Sequence, residues 1–404
     1  MRLFFDPMKN IILFDSEIRT HLLPFTFLRP VSELRIGMMT IREKWQLEFS
    51  QAHFSHITAD HLEPKYPITI ADDNILINSA LLPDAKVVVL LKGLGLNQAI
   101  LSGEELIAAR LDRAQFDRLI KQNELEELEG VVLAPEKLTL ISSLQHLLEH
   151  NSDEILNDLE RKHRAGHALE NLSEVSRGEY KVFTQGKIDL SGVILDTSKG
   201  PIIIGPEAVV LPGSMLSGPV SIGAGARVKM GSMIYGGTTV GPYSMVAGEV
   251  KNSLIMSASN KSHEGYLGDS VIGSWCNLGA LTSNSNLKNS FGEIKLWNYA
   301  TEDFEATGLI KCGLFMGDYS RSAIHTTFNS GTVVGISSNV MASGFPKKFI
   351  PSFVWGEKAI YDLPKAIKAG RSLHSFKNQS MDTKESELLS RAYDLSAPLR
   401  GQFL

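Results

Sequence analysis

The central feature of the chain is the stretch IGPEAVVLPGSMLSGPVSIGAGARVKMGSMIYGGTTVGPYSMVAGEV (residues 204–250), which repeats every six residues. One residue in each repeat is aliphatic, and the residue four positions later is small or β-branched. The aliphatic series is Ile204, Val210, Leu216, Ile222, Val228, Ile234, Val240 and Val246, and the second series is Ala208, Ser214, Val220, Ala226, Ser232, Thr238, Ser244 and Val250. A period of six fits neither an α-helix nor simple strand alternation. It is typical of a parallel β-helix, in which each repeat supplies one short strand and one corner.

The same phase returns later in the chain. A second ladder contains Ile310, Met316, Ser322, Phe328, Val334 and Val340, with partners Leu314, Ser320, Thr326, Thr332, Ser338 and Gly344, and a shorter piece contains Ile272 and Leu278. Interruptions at about 251–271 and 284–303 break the count. Interruptions in a solenoid usually form loops on one face, often the binding face. A glycine-rich β-sandwich would not hold this phase over so many turns, so we expect a β-helix.

Length and composition limit the possible classes of protein. A chain of 404 residues is expected to form two or three domains. The net charge of −5 gives no reason to expect nucleic acid or a membrane surface as a partner. Cys276 and Cys312 form no disulfide framework and suit a reducing cytoplasm. The first residues do not read as a signal peptide, and no apolar run is long enough to span a bilayer. We therefore expect a cytoplasmic protein.

Strand-like and helix-like segments alternate before the repeats. Residues 11–14 predict a buried strand that ends at Asp15, and residues 68–70, 75–77 and 87–91 predict further strands. Residues 41–49, 104–110, 113–122 and 138–148 predict helices. This alternation indicates an α/β domain with a mainly parallel sheet. The whole chain is therefore interpreted as three parts. Residues 1–175 form an α/β domain with a connector helix at 153–167, and residues 176–356 form a β-helix that is entered through short strands at 181–195. Residues 357–404 form a tail with helices at 361–369 and 384–393.

A chemical signature lies in and just after the first interruption. It reads HEGYLGD from His263 to Asp269, then Ile272-Gly273, then NLGA from Asn277 to Ala280. This pattern resembles the acetyltransferase half of the bifunctional N-acetylglucosamine-1-phosphate uridylyltransferase/glucosamine-1-phosphate N-acetyltransferase family, with Leu281 in place of the last glycine. Residues 22–45, 263–280, 286–297 and 344–356 resemble more specifically the variant from Bacteroidetes-type genomes. The resemblance implies a nucleotidyltransferase-like domain joined to a left-handed β-helix, assembled as a homotrimer with sites between subunits.

The resemblance assigns roles in acyl transfer to an amino sugar phosphate. His263 would be the general base that takes a proton from the attacking amine, a role suited to a neutral imidazole. Tyr266, Asn277 and Asn286 would hold the sugar phosphate and orient the amine. The alternative readings are a solvated histidine, a tyrosine that fills a corner, and asparagines that serve turns.

Further residues would bind acetyl-CoA, the implied acyl donor. Backbone N–H groups around Gly279 and Ala280 would polarise the thioester carbonyl. Lys347 and Lys348 would meet the phosphates of coenzyme A, although they also read as a solvated pair. Cys276 occupies a small inward position and is expected to be core.

The N-terminal domain lacks the G-x-G-x-R motif usual in sugar-phosphate nucleotidyltransferases. Arg29, Arg35 and Lys44 are the best candidates for phosphate ligands, and Gly37 would allow close approach of the nucleotide. The alternative is a basic connector followed by a helix packed through Trp45.

No metal ligands can be assigned in this domain, although Mg²⁺ is expected to accompany the nucleoside triphosphate. Residues Asp72, Asp73 and Asn74 fit a turn better than a metal site. Asp15 ends the first strand, where open α/β sheets place their ligands.

The leading hypothesis is a bifunctional enzyme that transfers an acetyl group from acetyl-CoA to an amino sugar-1-phosphate and a nucleotidyl group from UTP to a sugar-1-phosphate. Glucosamine-1-phosphate is the first acceptor to consider. One alternative is a nucleotidyltransferase of the glucose-1-phosphate thymidylyl- or uridylyltransferase kind, whose β-helix serves only to form trimers. A second is a binding module without activity.

Overall fold

The computed structural model describes residues 9–122, 128–133, 137–172 and 176–403. The chain forms two compact units. Of the described residues, one unit contains those up to Arg19 together with those in Arg29–Leu34 and Met39–Ser142, and the other contains those in Thr20–Leu28, Arg35–Met38 and Ser143–Leu404. Two short segments of the N-terminal sequence therefore fold with the C-terminal unit. The predicted boundaries at residues 175 and 356 stay predictions.

The N-terminal unit is built on a mixed six-stranded sheet with the order β4-β1-β5-β7-β6-β8. The chain also has two short strands, β2 and β3, outside this sheet. The bounds are β1 (Asn10–Phe14), β2 (Arg35–Ile36), β3 (Met39–Thr40), β4 (His53–Ile57), β5 (Asp73–Asn78), β6 (Gln98–Ser102), β7 (Glu105–Asp112) and β8 (Glu129–Val132). Strand β1 is parallel to β4 and β5, and β6 is parallel to β8, but β7 is antiparallel to both β5 and β6. The prediction of a mainly parallel sheet is right for β1, β4 and β5 and wrong for β7, which is antiparallel to both of its neighbours.

Several helices precede the solenoid. They are α1 (Ile18–His21), α2 (Ile41–Glu48), α3 (Ala85–Gly93), α4 (Arg113–Gln122), α5 (His146–Glu149) and α6 (Asn151–Arg164), with a 3-10 turn at Val31–Glu33. Helix α2 begins with a capping box in which Thr40 accepts from the Glu43 backbone and the Glu43 carboxylate accepts from the Thr40 backbone. The predictions of β1, α2, α4 and α6 are confirmed to within a few residues.

Other predictions for this region are wrong. Residues 87–91 were expected to form a strand, but they lie in α3, whose first turn is capped by the Asp84 carboxylate. The opposite error affects residues 104–110, which form most of β7 rather than a helix. Residues 68–70 have no regular structure, and of the helix predicted at 138–148 only His146–Glu149 is helical.

The C-terminal unit contains a parallel β-solenoid with three walls. Wall 1 contains Ser176–Arg177, Ile194–Asp196, Met215–Ser217, Met233–Ile234, Glu249–Lys251 and Tyr266–Gly268. Wall 2 contains Val182–Thr184, Ile202–Ile204, Val220–Ile222, Thr238–Val240, Leu254–Ile255, Val271–Ile272, Leu314–Met316, Thr332–Val334 and Phe349–Ile350, with Glu170–Asn171 added antiparallel at its end. Wall 3 contains Val209–Val210, Arg227–Val228, Met245–Val246, Asn260–Lys261, Asn277–Leu278, Arg321–Ser322, Asn339–Val340 and Val354–Trp355, with Ala359–Ile360 added antiparallel at its end.

The six-residue pattern describes the interior of this solenoid. All aliphatic residues of the first ladder are buried in one hydrophobic cluster, which also includes Ile272, Cys276 and Leu278. The residues of the second ladder are buried from Leu314 to Val340. Ile310 is exposed, so the aliphatic series of this ladder begins at Met316, one repeat later than predicted. Gly344 is also exposed, in the loop that follows the last regular coil. The prediction of a β-helix is confirmed.

The two interruptions differ in kind. Across the first, the strands continue, because Val246 pairs with Lys261 and Val250 pairs with Leu267. The coil is only shortened there, so the expectation of a loop covering 251–271 is wrong. The second is a true insertion, and it carries an antiparallel hairpin formed by Lys295–Asn298 and Asp303–Ala306. Between them, Ser283–Asn284 pairs in parallel with Thr327–Phe328.

Two further parts of the C-terminal unit pack on the solenoid. The tail forms α7 (Leu363–Phe376), α8 (Thr383–Leu395) and α9 (Ala397–Phe403), which confirms the predicted helices. Near the other end of the sequence, Phe25 lies with its ring 6.5 Å from that of Phe315. The apolar stretch at 20–28 is therefore explained by packing. Among the residues that the structure describes, no helix combines the length and apolar character needed to cross a membrane.

Candidate functional site

His263 lies at the edge where the chain passes from wall 3 to wall 1. Most coils turn this edge with four residues, such as 229–232, but the coil below His263 turns it with only two, Ala247 and Gly248. His263 belongs to the next corner, 262–265, and its side chain is exposed. An exposed imidazole above a shortened corner is accessible to a ligand that approaches this edge.

Tyr266 directly follows this corner, and its hydroxyl meets Asn286 near Asp269, at the far end of the strand Tyr266–Gly268. The Asn286 amide donates to the Tyr266 hydroxyl at 3.0 Å and also to the Asp269 carboxylate. Asn252 donates to the other oxygen of that carboxylate at 2.7 Å. Asp269 is buried and has a positive φ of 47°. The carboxylate therefore fixes two amides in place, and one of them fixes the tyrosine.

The Tyr266 hydroxyl is held in its neutral form. Burial, together with the negative charges of Asp269 and Glu249, raises the pKa of Tyr266 to about 12. At neutral pH the hydroxyl can therefore donate a hydrogen bond as well as accept one. A donor of this kind can bind a sugar hydroxyl or phosphate oxygen.

Asn277 is placed elsewhere. It is on wall 3, paired with Asn260 and Arg321, whereas Tyr266 is on wall 1. Together with Arg321 and residues of α7, Asn277 lines a cavity of 520 Å³. A single chain therefore does not bring Asn277 together with Tyr266 and Asn286.

Gly279 and Ala280 lie in the corner directly above that of His263, about 4.8 Å away as for neighbouring strands. The Gly279 N–H donates to the Ser322 backbone oxygen at 3.1 Å and to its hydroxyl at 3.1 Å. It is thus already used in coil-to-coil bonding, and a Cβ at this position would lie 2.5 Å from the Ala323 backbone. The glycine is explained by this close approach, so the role predicted for its N–H in polarising a thioester has no support from the geometry. The Ala280 carbonyl accepts from the His325 backbone.

Lys347 and Lys348 lie in the loop 341–348, between the wall 3 strand Asn339–Val340 and the wall 2 strand Phe349–Ile350. Lys347 lines a cavity of 290 Å³ together with apolar residues such as Phe345 and Val354. Partial burial and the nearby charge of Lys288 lower the pKa of Lys348. These lysines are several coils from His263, so any contact with the donor would involve its distant end.

Asp15 organises a polar group at the carboxyl ends of β1 and β4. One carboxylate oxygen accepts from the Val31 backbone N–H at 3.0 Å, and the other accepts from the Thr58 hydroxyl at 2.6 Å. Arg19 lies 3.6 Å from the second oxygen. Burial raises the pKa of Asp15 and lowers that of Arg19. The carboxylate is thus an anchor that holds both Arg19 and the segment containing Val31.

The residues predicted to bind the nucleotide are divided between the two units. Arg29 and Lys44 belong to the N-terminal unit, whereas Arg35 and Gly37 belong to the C-terminal unit. Lys44 is fully buried, and Arg35 donates to the Met38 carbonyl. Gly37 has a φ of 64°, and a Cβ there would lie 2.6 Å from the Glu154 backbone. The requirement for glycine at this position is explained by packing against α6 rather than by a phosphate.

Sequence reasoning assigned no role to several residues that the structure places in these groups. Asp269 was visible within the HEGYLGD signature, but its bonds to two distant amides were not. Thr58 carries no motif, because it meets Asp15 only through the pairing of β1 with β4. Arg19 lies four residues after Asp15 in α1, and a single arginine at this spacing carries no motif either. Lys261 was hidden because it occupies an interior position that is aliphatic in neighbouring coils.

The described residues do not fit a resident metal. Within residues 9–122, 128–133, 137–172 and 176–403, no group of three or more His, Cys, Asp or Glu side chains is arranged to hold one. Both oxygens of Asp15 are already hydrogen-bonded. A Mg²⁺ ion that arrives with a nucleoside triphosphate needs few protein ligands and is best regarded as part of that substrate.

The two cysteines, Cys276 and Cys312, are buried and free, and burial raises the pKa of Cys312.

The fold agrees with comparisons to known proteins. Residues 11–165 match the model of a family described as sugar nucleotidyl transferase. The chain is 36% identical over 95 residues to the bifunctional protein GlmU of Methanocaldococcus jannaschii, which is 24% of this chain and 22% of that protein. It is 36% identical over 92 residues to a bifunctional sugar-1-phosphate nucleotidylyltransferase/acetyltransferase of Sulfurisphaera tokodaii (23% of this chain and 22% of that protein).

A third relative, the bifunctional protein GlmU of Methanococcus vannielii, is 33% identical over 109 residues, or 26% of each chain. The matches thus span about a quarter of the length of these curated relatives. Together the comparisons indicate a transferase with a sugar-nucleotidyltransferase-like N-terminal domain. They do not identify its substrates.

Proposed function

We propose that the protein is a bifunctional enzyme of sugar-nucleotide synthesis. The solenoid would transfer an acetyl group from acetyl-CoA to an amino sugar-1-phosphate, with glucosamine-1-phosphate as the first candidate. The N-terminal unit would transfer a nucleotidyl group from a nucleoside triphosphate to a sugar-1-phosphate, with UTP as the first candidate. The observation that carries the acyl-transfer half is the exposed His263 corner, which leads directly into the strand of Tyr266, whose hydroxyl is hydrogen-bonded to Asn286.

In the acyl-transfer step, the neutral imidazole of His263 takes a proton from the sugar amine. The amine nitrogen forms a bond to the thioester carbonyl carbon, the carbon–sulfur bond breaks, and coenzyme A leaves as a thiol once its sulfur gains a proton. A histidine is suited to this proton transfer near neutral pH. Tyr266 and Asn286 bind the acceptor, and Asp269 keeps them in register.

The acyl donor would lie along the wall 3–wall 1 edge. Leu281 and Ile324 are exposed apolar residues of successive corners on this edge, and they offer a surface for the pantetheine arm. Lys347 and Lys348, further along, would meet the phosphates. Because Asn277 lies on another wall, it would reach the acceptor of a neighbouring copy in a homotrimer. The buried, free cysteines fit a cytoplasmic enzyme.

For nucleotidyl transfer, Arg19 and Arg29 would bind the phosphates of the triphosphate–magnesium complex. Asp15 would hold both in place, since its carboxylate contacts Arg19 directly and fixes the Val31 backbone two residues after Arg29. The family match over residues 11–165 supports this half of the proposal.

The two halves can be tested separately with the intact chain. Acetyl-CoA and glucosamine-1-phosphate should release a thiol, and His263→Ala should abolish this release while leaving nucleotidyl transfer intact. UTP with N-acetylglucosamine-1-phosphate should release pyrophosphate, and Asp15→Asn should impair only this reaction. Pyrophosphate release without thiol release from any amino sugar phosphate would instead favour a nucleotidyltransferase with a structural solenoid. Tight nucleotide binding with neither product would indicate a binding module.

A further inference from the structure

A lysine occupies an interior position of the solenoid directly before His263. In wall 3, Lys261 pairs with Val246 below and follows Asn260, which pairs with Asn277 above. The corresponding residues of neighbouring coils, Val246 and Leu278, belong to the hydrophobic core. Lys261 is only 2% exposed. A lysine is rarely buried this completely unless its ammonium group is hydrogen-bonded.

The shortened corner below His263 explains how the ammonium group is accommodated. In the four-residue corner at 229–232, the inward Ser232 hydroxyl donates to the Lys229 carbonyl at 2.6 Å. The two-residue corner of Ala247 and Gly248 leaves no position for such a hydroxyl. The Lys261 ammonium donates instead to the Ala247 carbonyl at 3.2 Å and to the His263 carbonyl. It therefore ties the corner of His263 to the corner below.

A second lysine supports the same corner from outside. The Lys229 ammonium donates to the Ser262 carbonyl at 3.0 Å. Consecutive carbonyls, those of Ser262 and His263, are thus each held by a cation. Hydrogen bonds from a charged donor are roughly twice as strong as neutral ones.

The charges around Lys261 indicate when this contact weakens. Burial lowers the pKa of Lys261 to about 8, and the nearby Glu264 opposes this shift. The other titratable groups at the corner are His263 itself and Lys229. Because the pKa is lowered, the ammonium form is present at neutral pH and is lost as the pH rises through about 8. The neutral amine is a weaker donor to the two carbonyls.

We propose that Lys261 is a positioning residue for acyl transfer, which fixes the backbone of the His263 corner so that the imidazole meets the attacking amine. This inference rests on the proposed function of His263. A lysine that only fills space would be replaced by methionine without loss, since methionine has a similar length and is apolar. A positioning lysine would not, because the two carbonyls would lose their donor.

The experiment compares Lys261→Met with the matched control Lys199→Met, which removes an exposed lysine. We expect Lys261→Met to lower kcat for thiol release by about 10-fold to 100-fold, since small displacements of a catalytic group have effects of this size. KM for acetyl-CoA should change less than about twofold, because the proposed donor contacts, Leu281 and Ile324, lie in later corners of this edge. In the wild-type protein kcat should fall above pH 8, and this limb should be absent from Lys261→Met.

Hydrogen exchange makes the test independent of activity. Amide exchange at Ala247, Tyr266 and Leu281, whose N–H groups are hydrogen-bonded at or beside this corner, should be faster in Lys261→Met and in the wild-type protein at pH 9, after correction for intrinsic rates, and unchanged in Lys199→Met. Equal protection of this corner in all three proteins would overturn the inference, and so would an unchanged kcat in Lys261→Met. If the wild-type protein transfers no acyl group but the corner still loosens in Lys261→Met, the positioning of His263 stands and only its assigned reaction fails. Should Lys261→Met not fold, the pH dependence of exchange in the wild-type protein decides.

Discussion

The Asn286 amide donates a 3.0 Å hydrogen bond to the Tyr266 hydroxyl, although the two residues come from opposite sides of a change in the repeat. Tyr266 belongs to the last strand of wall 1, and Asn286 follows the short strand Ser283–Asn284. The Asp269 carboxylate accepts from the same amide. The contact therefore depends on where the regular coils stop, and it holds a neutral hydroxyl near Asp269, at the far end of the strand that follows the His263 corner.

Removing this hydroxyl should weaken binding of the acceptor. We expect Tyr266→Phe to lower kcat/KM for the amino sugar phosphate by about 10-fold, since a lost hydrogen bond at a site is worth roughly 1–2 kcal/mol. The hydroxyl has a pKa of about 12, so the loss should be equal at every pH between 6 and 9. Thiol release with varied acceptor concentration measures it.

Tyr235→Phe is the matched control, because this tyrosine is partly exposed and lies outside the cluster. It should retain wild-type kcat/KM. Equal activity in Tyr266→Phe and Tyr235→Phe would remove Tyr266 from the proposed acceptor site.

Asp15→Asn should separate binding from stability in the N-terminal unit. The variant keeps an oxygen for the Val31 N–H but loses the charge beside Arg19, so KM for the nucleoside triphosphate should rise at least about tenfold. Burial raises the pKa of Asp15, which means that the charged form destabilises the folded state. The free energy of unfolding of the wild-type protein, relative to the variant, should therefore fall as the pH rises through this raised pKa.

Asp73→Asn provides the control for this experiment. Asp73 pairs with Arg110 in an exposed ion pair, so its loss should change neither KM nor the unfolding midpoint appreciably. An Asp15→Asn protein with wild-type KM for UTP and for other nucleoside triphosphates would show that the Asp15 group does not serve nucleotide binding.

Gly37→Ala tests whether this glycine is needed for packing or for a phosphate. Its φ of 64° and the 2.6 Å approach of a new Cβ to the Glu154 backbone predict a loss of more than about 2 kcal/mol in stability. KM for the nucleotide should be unchanged in the protein that remains folded. Gly103→Ala is the control, because Gly103 has a φ of 61° but open space around it, so its loss should be limited to backbone strain of about 1 kcal/mol. Similar melting temperatures for the two variants would contradict the packing role.

The parts of the fold that were predicted from sequence are those in which the position of a residue in the repeat determines its place in the structure. The six-residue phase does this, because Val210, Val228 and Val246 stack at the same interior position. The phase failed at Lys261, where a hydrogen-bonded ammonium group replaces an aliphatic side chain. No pattern of hydrophobicity can show that substitution, because it depends on a corner that is two residues shorter in the coil below.

The sequence was least informative where local preference and packing disagree. Val87, Val88 and Leu91 are buried in α3, while Val89 is exposed, so an unbroken apolar run concealed a helical spacing. Residues around Gly37 read equally well as a phosphate loop and as a connector. The structure favours the connector, because the Asn151 side chain accepts a hydrogen bond from the Gly37 N–H. The two residues are 114 positions apart, so no local pattern shows this contact.

The last prediction concerns the tail. The His374 ring on α7 stacks 3.6 Å from the Trp275 ring, and its Nε2 atom lies 2.9 Å from the Tyr319 hydroxyl. His374 is 2% exposed, so His374→Ala should lose both contacts and destabilise the docking of α7 by about 2–4 kcal/mol. Amide exchange in α7 should become faster, and Trp275 fluorescence should shift to longer wavelength as water reaches the ring. Exchange in the wall 2 strands should stay slow, because the interior of the solenoid does not include His374. Ser375→Ala, an exposed neighbour on the same helix, should leave both signals unchanged. If α7 remains as protected in His374→Ala as in Ser375→Ala, other contacts hold the helix, foremost the Lys377 ammonium, which donates to the Tyr243 carbonyl at 2.7 Å.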